Sequence, residues 1–193
     1  MGVEYEWKFR AAPENLAVIL AANQGNWQQI AMETTYYDTP AGDLSRLRYT
    51  LRRRMENGKS VCTVKTPADR GGRGEWEVED NTIEQAIPKL CKLGGPAELE
   101  KLTQKGLRPI CGARFTRKAL TIDIGTAVVE LALDQGVLLG GGREIPLCEM
   151  EIELKDGSME AAAAYAAHLA KKYGLVPEKK SKFRRALDLT EEH

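Results

Sequence analysis

At least five segments of this chain set charged and apolar side chains on alternate residues, and that alternation constrains the fold more than any other feature. A β-strand sends successive side chains to opposite faces. In Val3-Glu4-Tyr5-Glu6-Trp7-Lys8-Phe9, Glu4, Glu6 and Lys8 share one face, and Val3, Tyr5, Trp7 and Phe9 the other. Leu51-Arg52-Arg53-Arg54-Met55 puts Arg52 and Arg54 together, and Lys65 shares a face with Thr63. Glu75, Glu77 and Glu79 oppose Trp76 and Val78, and Glu130 and Asp134 oppose Val129, Leu131 and Leu133. Glu149, Glu151 and Glu153 oppose Met150, Ile152 and Leu154, and Arg117 stands in mid-strand. Aromatic and β-branched residues on the apolar faces favour strands. Runs of one charge sign are disfavoured across a sheet unless something compensates them.

The 193 residues suit a single domain spanning 1–193. Basic and acidic residues number 28 each, so no net field steers the chain to double-stranded nucleic acid or an anionic membrane. Four cysteines, at 62, 91, 111 and 148, have no C-x-x-C spacing. With only His168 and His193, histidine chemistry is nearly excluded, and any metal is hard and oxygen-ligated. The sequence opens on a charged strand and contains no apolar run of roughly 18 residues, so a soluble cytoplasmic protein with reduced thiols is expected.

Ala12-Pro13-Glu14 starts a helix that Gly25 ends. A strand at 28–37 ends in the turn Tyr37-Asp38-Thr39-Pro40. Strands are expected at about 48–57, 60–66 and 73–80, joined by Asn57-Gly58 and by a loose Arg70-Gly71-Gly72 connection. Residues 82–105 lean helical with a break at Gly94-Gly95-Pro96. Strands follow at about 114–124, 126–135 and 145–155, then a helix at 159–173 capped by Ser158 and Gly174. A short basic helix from Ser181 to about Leu189 comes last. The class is α+β with a mostly antiparallel sheet of about eight strands.

Spacing leaves two arrangements open. The charged faces could meet water on an open sheet. Alternatively, eight strands could close into a barrel with charges lining the lumen and helices packed outside. An ionic lumen is costly to build and suits a polyanion with its metals, since guanidinium forks grip phosphate and carboxylates hold Mg²⁺ or Mn²⁺.

These residues resemble a known family. Glu4, Glu6 and Lys8 match the E-x-E-x-K opening of the CYTH domain, the triphosphate tunnel metalloenzymes. Tyr37-Asp38-Thr39-Pro40, Leu51-Arg52-Arg53-Arg54, Thr63-Val64-Lys65-Thr66, Arg73-Gly74-Glu75-Trp76-Glu77-Val78, Leu133-Asp134-Gln135-Gly136, Glu149-Met150-Glu151-Ile152-Glu153-Leu154 and Ser181-Lys182-Phe183-Arg184-Arg185 follow in the family's order. The resemblance implies an eight-stranded antiparallel tunnel that binds tripolyphosphate-type substrates with Mg²⁺ or Mn²⁺. Several blocks look most like bacterial inorganic triphosphatases. Class IV adenylate cyclase and thiamine triphosphatase are the alternatives within the family, for which the partner would be a nucleotide or thiamine triphosphate. A non-catalytic polyphosphate-binding module is the alternative of another class. Homodimerisation is left open.

Under that resemblance Glu4, Glu6 and Lys8 are the catalytic group, and Glu4, Glu6, Glu149, Glu151 and Glu153 hold metal or position water. Lys8, Arg52, Arg54, Lys65 and Arg117 bind phosphate oxygens, and Lys182 and Arg185 close one mouth of the tunnel. Glu75, Glu77, Glu130 and Asp134 support a second metal or balance the basic strands. Trp27 or Tyr37 could supply an aromatic shelf for thiamine. Gly71-Gly72 and Gly140-Gly141-Gly142 lack the form of a phosphate-binding loop and serve turns.

Overall fold

The computed structural model describes residues 2–69 and 72–191. Arg70 and Gly71 of the expected loop, and His193, lie outside the described residues. The first expected strand is split at Tyr5 into β1 (Gly2–Glu4) and β2 (Glu6–Arg10). There follow α1 (Pro13–Ala22), β3 (Gln28–Asp38), α2 (Asp43–Arg46), β4 (Thr50–Glu56), β5 (Lys59–Pro67) and β6 (Arg73–Glu79). The next elements are α3 (Ile83–Lys92), α4 (Leu99–Thr103), β7 (Arg108–Asp123), β8 (Ala127–Gly140) and β9 (Arg143–Gly157). The described chain ends with α5 (Met159–Tyr173), β10 (Val176–Pro177) and α6 (Lys182–Glu191). No helix among the described residues is long and apolar enough to cross a membrane.

The ten strands form one antiparallel sheet in the order β1-β6-β5-β4-β3-β7-β8-β9-β2-β10. Ten replace the expected eight because the first strand changes partners midway and two residues of β10 add to β2. The Tyr5 carbonyl sits at the switch and accepts the Leu154 N–H at 2.9 Å. β1 stands at one edge and β2 beside the other, with only Tyr5 between them. The chain thus passes, at Tyr5, from one edge of the sheet order to the strand next to the other edge. At the β4–β5 hairpin Asn57 and Gly58 take φ 49° and 88°, the left-handed pair that a two-residue turn requires.

Two apolar cores lie on the outer face. Phe9, Leu131, Met150 and Ile152 pack under α1 and α5, while Leu51, Cys62 and Val64 pack under α2, α3 and α4. On α5, Ala162, Ala166, Leu169 and Ala170 recur at helical spacing and form its buried stripe. Ser158 accepts the Ala161 N–H at 3.1 Å and Gly174 (φ 63°) ends the helix. The Tyr37-Asp38-Thr39-Pro40 block has a local role. Buried Asp38 accepts the N–H groups of Thr39, Leu44 and Ser45 at 2.7, 2.9 and 3.1 Å and so fixes α2.

One helix departs from the expectation that all pack outside. Ala186 and Leu189 of α6 pack on Ala113, Phe115, Leu138 and Leu147. By strand parity these share the face of Arg117, Asp134 and Glu149, the charged face. A Cβ on Gly140 would lie 2.1 Å from the Ala186 carbonyl oxygen, so the glycine run admits the α6 backbone as well as making a turn. α6 thus lies on the charged face of the sheet.

Candidate active site

The register stacks the charged residues of neighbouring strands into rows. Glu6, Glu153 and Glu130 are in register across β2, β9 and β8. Lys8 and Glu151 pair one step along, and Arg10, Glu149, Asp134 and Arg117 form the next row. On the other side, Lys65 pairs with Glu75, Glu4 with Arg73, and Thr63 with Arg52 and Glu77. These faces surround one cavity of about 320 Å³, lined by residues of β1 through β9 and α6.

Of the residues expected at the site, Glu4, Glu6, Lys8, Arg52, Arg54, Lys65, Arg117 and Lys182 line the cavity, as do Glu75, Glu77, Glu130, Glu151 and Glu153. Asp134 and Glu149 lie behind that lining, fully buried. Arg185 borders a groove outside the cavity and pairs with Glu149. The lining also contains Glu56, Arg73 and Lys155, which the same parity rule could have found. Ile30, Met32, Tyr36, Phe115 and Phe183 make one wall apolar, so the lumen is not ionic all round. Trp27 and Tyr37 pack into the outer cores, and neither forms a shelf at the cavity.

The expected metal-binding carboxylates divide into two environments. At the α6 end, oxygens of Asp134, Glu149 and Glu151 lie within 4.8 Å of one another, the one such trio among the described residues. The Lys182 ammonium occupies it, 2.8 Å from Asp134 and from Glu151 and in contact with Glu149. Glu149 Oε1 meets that ammonium as a charge only, without a hydrogen bond of good geometry. Arg117 holds Asp134 through two bonds of 2.8 and 2.7 Å and Glu151 through one of 2.5 Å. Burial opposes the charge on Lys182, but the trio outweighs it and raises its pKa well above the usual value. Burial would likewise raise Glu151, but Lys182 and Arg117 hold its carboxyl well below the usual range. Burial, with the like charge of Glu151, raises Glu149.

At the other end each carboxylate has a lysine partner. Glu6 pairs with Lys8 at 2.8 Å, Glu153 with Lys155 at 2.8 Å, and Glu4 with Lys65. Burial, with Glu4 and Glu130 nearby, raises the Glu153 pKa despite Lys155. On the basic side Arg52 lies 3.5 Å from Glu75, and its Nε is buried without a hydrogen-bond partner. Burial, with Arg52 and Arg117 close by, lowers the Arg54 pKa in spite of Glu56.

A curled antiparallel sheet around an ion-lined cavity defines the class. The CYTH domain model matches residues 2–187, and the chain belongs to that family. An inorganic triphosphatase of Haemophilus influenzae is 31% identical over 135 residues, 69% of this chain and 38% of the relative. The chain thus spans well under half the length of that relative. Among solved structures, a proposed adenylyl cyclase of Hippeastrum in which triphosphatase activity is dominant superposes with TM-score 0.65 at 18% identity, covering 98% and 97% of the two chains. A Pyrococcus horikoshii OT3 protein superposes with TM-score 0.63 at 23% identity, covering 96% and 98%. Both establish likeness of fold.

Proposed function

We propose that this chain is a metal-dependent hydrolase of tripolyphosphate-type substrates, an inorganic triphosphatase that splits tripolyphosphate into pyrophosphate and phosphate. On this reading residues 1–193 act as one tunnel unit in the cytoplasm. The split first strand would close the sheet into an eight-stranded tunnel, with β1 and β2 counting as one strand and the two-residue β10 left out of the count. Family membership and the Haemophilus relative support the activity. The observation that carries it is the make-up of the cavity. Eight carboxylates face eight cations around one space, and the buried Arg52 Nε lacks a partner that a phosphate oxygen would supply.

The lining is neutral in sum, so added positive charge strengthens its hold on a polyanion. The α6-end trio is filled by Lys182, whereas Glu4, Glu6 and Glu153 face the cavity with lysine partners at its other end. These three suit Mg²⁺ or Mn²⁺, with Glu149 and Glu151 serving as counter-charges that hold Lys182 and Arg185. A bound divalent ion would offset charge on the phosphates during the reaction. Lys8, Arg52, Arg54, Lys65 and Arg117 orient the phosphate chain and neutralise it. Lys182 offers a permanent charge at the α6 end. A glutamate of the cavity orients and activates the attacking water.

The test is phosphate release from tripolyphosphate, thiamine triphosphate and ATP with Mg²⁺ or Mn²⁺, with cyclic AMP assayed in the ATP reaction. Release from tripolyphosphate well above that from ATP is expected. Cyclic AMP with pyrophosphate would replace the proposal with a cyclase, and tight binding without turnover would replace it with a polyphosphate-binding module.

A further inference from the structure

Glu178 belongs to none of the motifs that mark the site, yet it is 6% exposed in the segment between β10 and α6. Its backbone N–H bonds the Lys8 carbonyl at 2.8 Å, tying this segment to the strand that carries the first catalytic candidates. Its Oε1 accepts the Lys180 N–H at 2.8 Å, which folds the approach to α6. Its Oε2 accepts a bond from Arg10 Nε and lies 3.9 Å from Arg185 Nη1. Arg185 in turn bonds Glu149, which contacts Lys182. A continuous series of opposite charges therefore runs from Arg10, whose side chain is 65% exposed, to the ammonium that lines the cavity.

We propose that Glu178 is a positioning residue for triphosphate binding, holding Arg185 against Glu149 and thereby fixing the register of α6 that sets Lys182 in the cavity. The geometry gives this carboxylate no route to substrate of its own, because it borders the groove outside α6 and not the cavity. Its action passes through Arg185. The proposal rests on the triphosphatase reading above.

The experiment compares Glu178→Gln with wild type for KM and kcat on tripolyphosphate with Mg²⁺. Tripolyphosphate binding is also measured by calorimetry in EDTA. KM and the metal-free Kd are each expected to rise about tenfold, with kcat changed less than about threefold. Leu169→Ala, in the remote α5 core, serves as a control that lowers the melting temperature and leaves KM unchanged. In an Arg185→Ala background, Glu178→Gln should add less than about twofold, because both act through one contact. Should Glu178→Gln fail to fold, Glu178→Asp, which keeps the charge but draws it back from Arg185, is expected to raise KM about threefold. An unchanged KM in the folded variant, or full multiplication of the two effects, overturns the positioning role. If wild type itself neither binds nor cleaves tripolyphosphate, the triphosphatase reading falls instead.

Discussion

The two ends of the cavity use the same residue types in the same alternation and arrive at opposite electrostatic states. At the α6 end, Asp134 and Glu149 are fully buried and are held by Arg117, Lys182 and Arg185 in multiple contacts. At the other end, the Glu6 and Glu153 side chains are each 24% exposed, and their close contacts are to Lys8 and Lys155 on their own strands. Glu6, Glu153 and Glu130 also stand side by side in register, an arrangement of like charges that a sheet tolerates only with compensation. The first set is internally balanced, which on the function proposed above makes it framework. The second keeps oxygen donors facing a cavity that also contains cations suited to phosphate.

The sharpest way to break this comparison is to neutralise one acid at each end. Asp134→Asn leaves Arg117 and Lys182 short of a counter-charge in a buried site, and should cost about 3–5 kcal/mol of stability by chemical denaturation. Glu6→Gln, removing a part-exposed single pair, should cost less than about 1 kcal/mol. Equal losses would mean that the two ends do not differ as framework and site. Next in size is turnover. Glu4→Gln should lower kcat on tripolyphosphate at least about a hundredfold, roughly 2.7 kcal/mol in the barrier, while substrate binding stays measurable. Wild-type turnover in Glu4→Gln would remove Glu4 from the metal-binding set.

Much of this architecture was legible because a period of two is hard to disguise. Parity alone put Glu4, Glu6, Lys8, Arg52 and Arg54 on charged faces and Lys65 beside Thr63, whereas Arg117 was picked out through the family resemblance, and all of them line one cavity. The same rule pointed Arg53 away, and Arg53 bonds Ser60 at 2.8 Å rather than lining the cavity. Strand extent was less readable. β7, β8 and β9 run longer than expected because pairing continues through Gly136 to Gly140. The four residues of α2 gave no periodic signal and depend on the Asp38 carboxylate. The placement of α6 was not legible either. A short amphipathic basic helix can cover an outer face or enter the sheet, and what admits it here is the absence of a side chain at Gly140. Glu178 carried no pattern, since its partners Arg10 and Arg185 come from distant points in the chain.

The smallest effect tests the comparison through proton linkage, in metal-free protein. Glu151 at the α6 end has its pKa held well below the usual value near 4.5 by Lys182 and Arg117. Near and below 4.5 the unfolded chain binds a proton there that the folded chain refuses. The stability from this group is therefore fully present above 4.5 and is lost as pH falls through the folded value. Glu153 has the opposite sign, because burial with Glu4 and Glu130 nearby raises its pKa above 4.5. Its folded form binds the proton more tightly, so its contribution is present below 4.5 and is lost as pH rises through the raised value. Melting temperatures from pH 3 to 7 in EDTA should then separate Glu151 from Glu153. Glu151→Gln should flatten the acid limb of the profile, below about 4.5, and Glu153→Gln should remove a decline above it. If both substitutions flatten the same limb, the two carboxylates share one environment, and the division of the cavity into a balanced end and an available end does not hold.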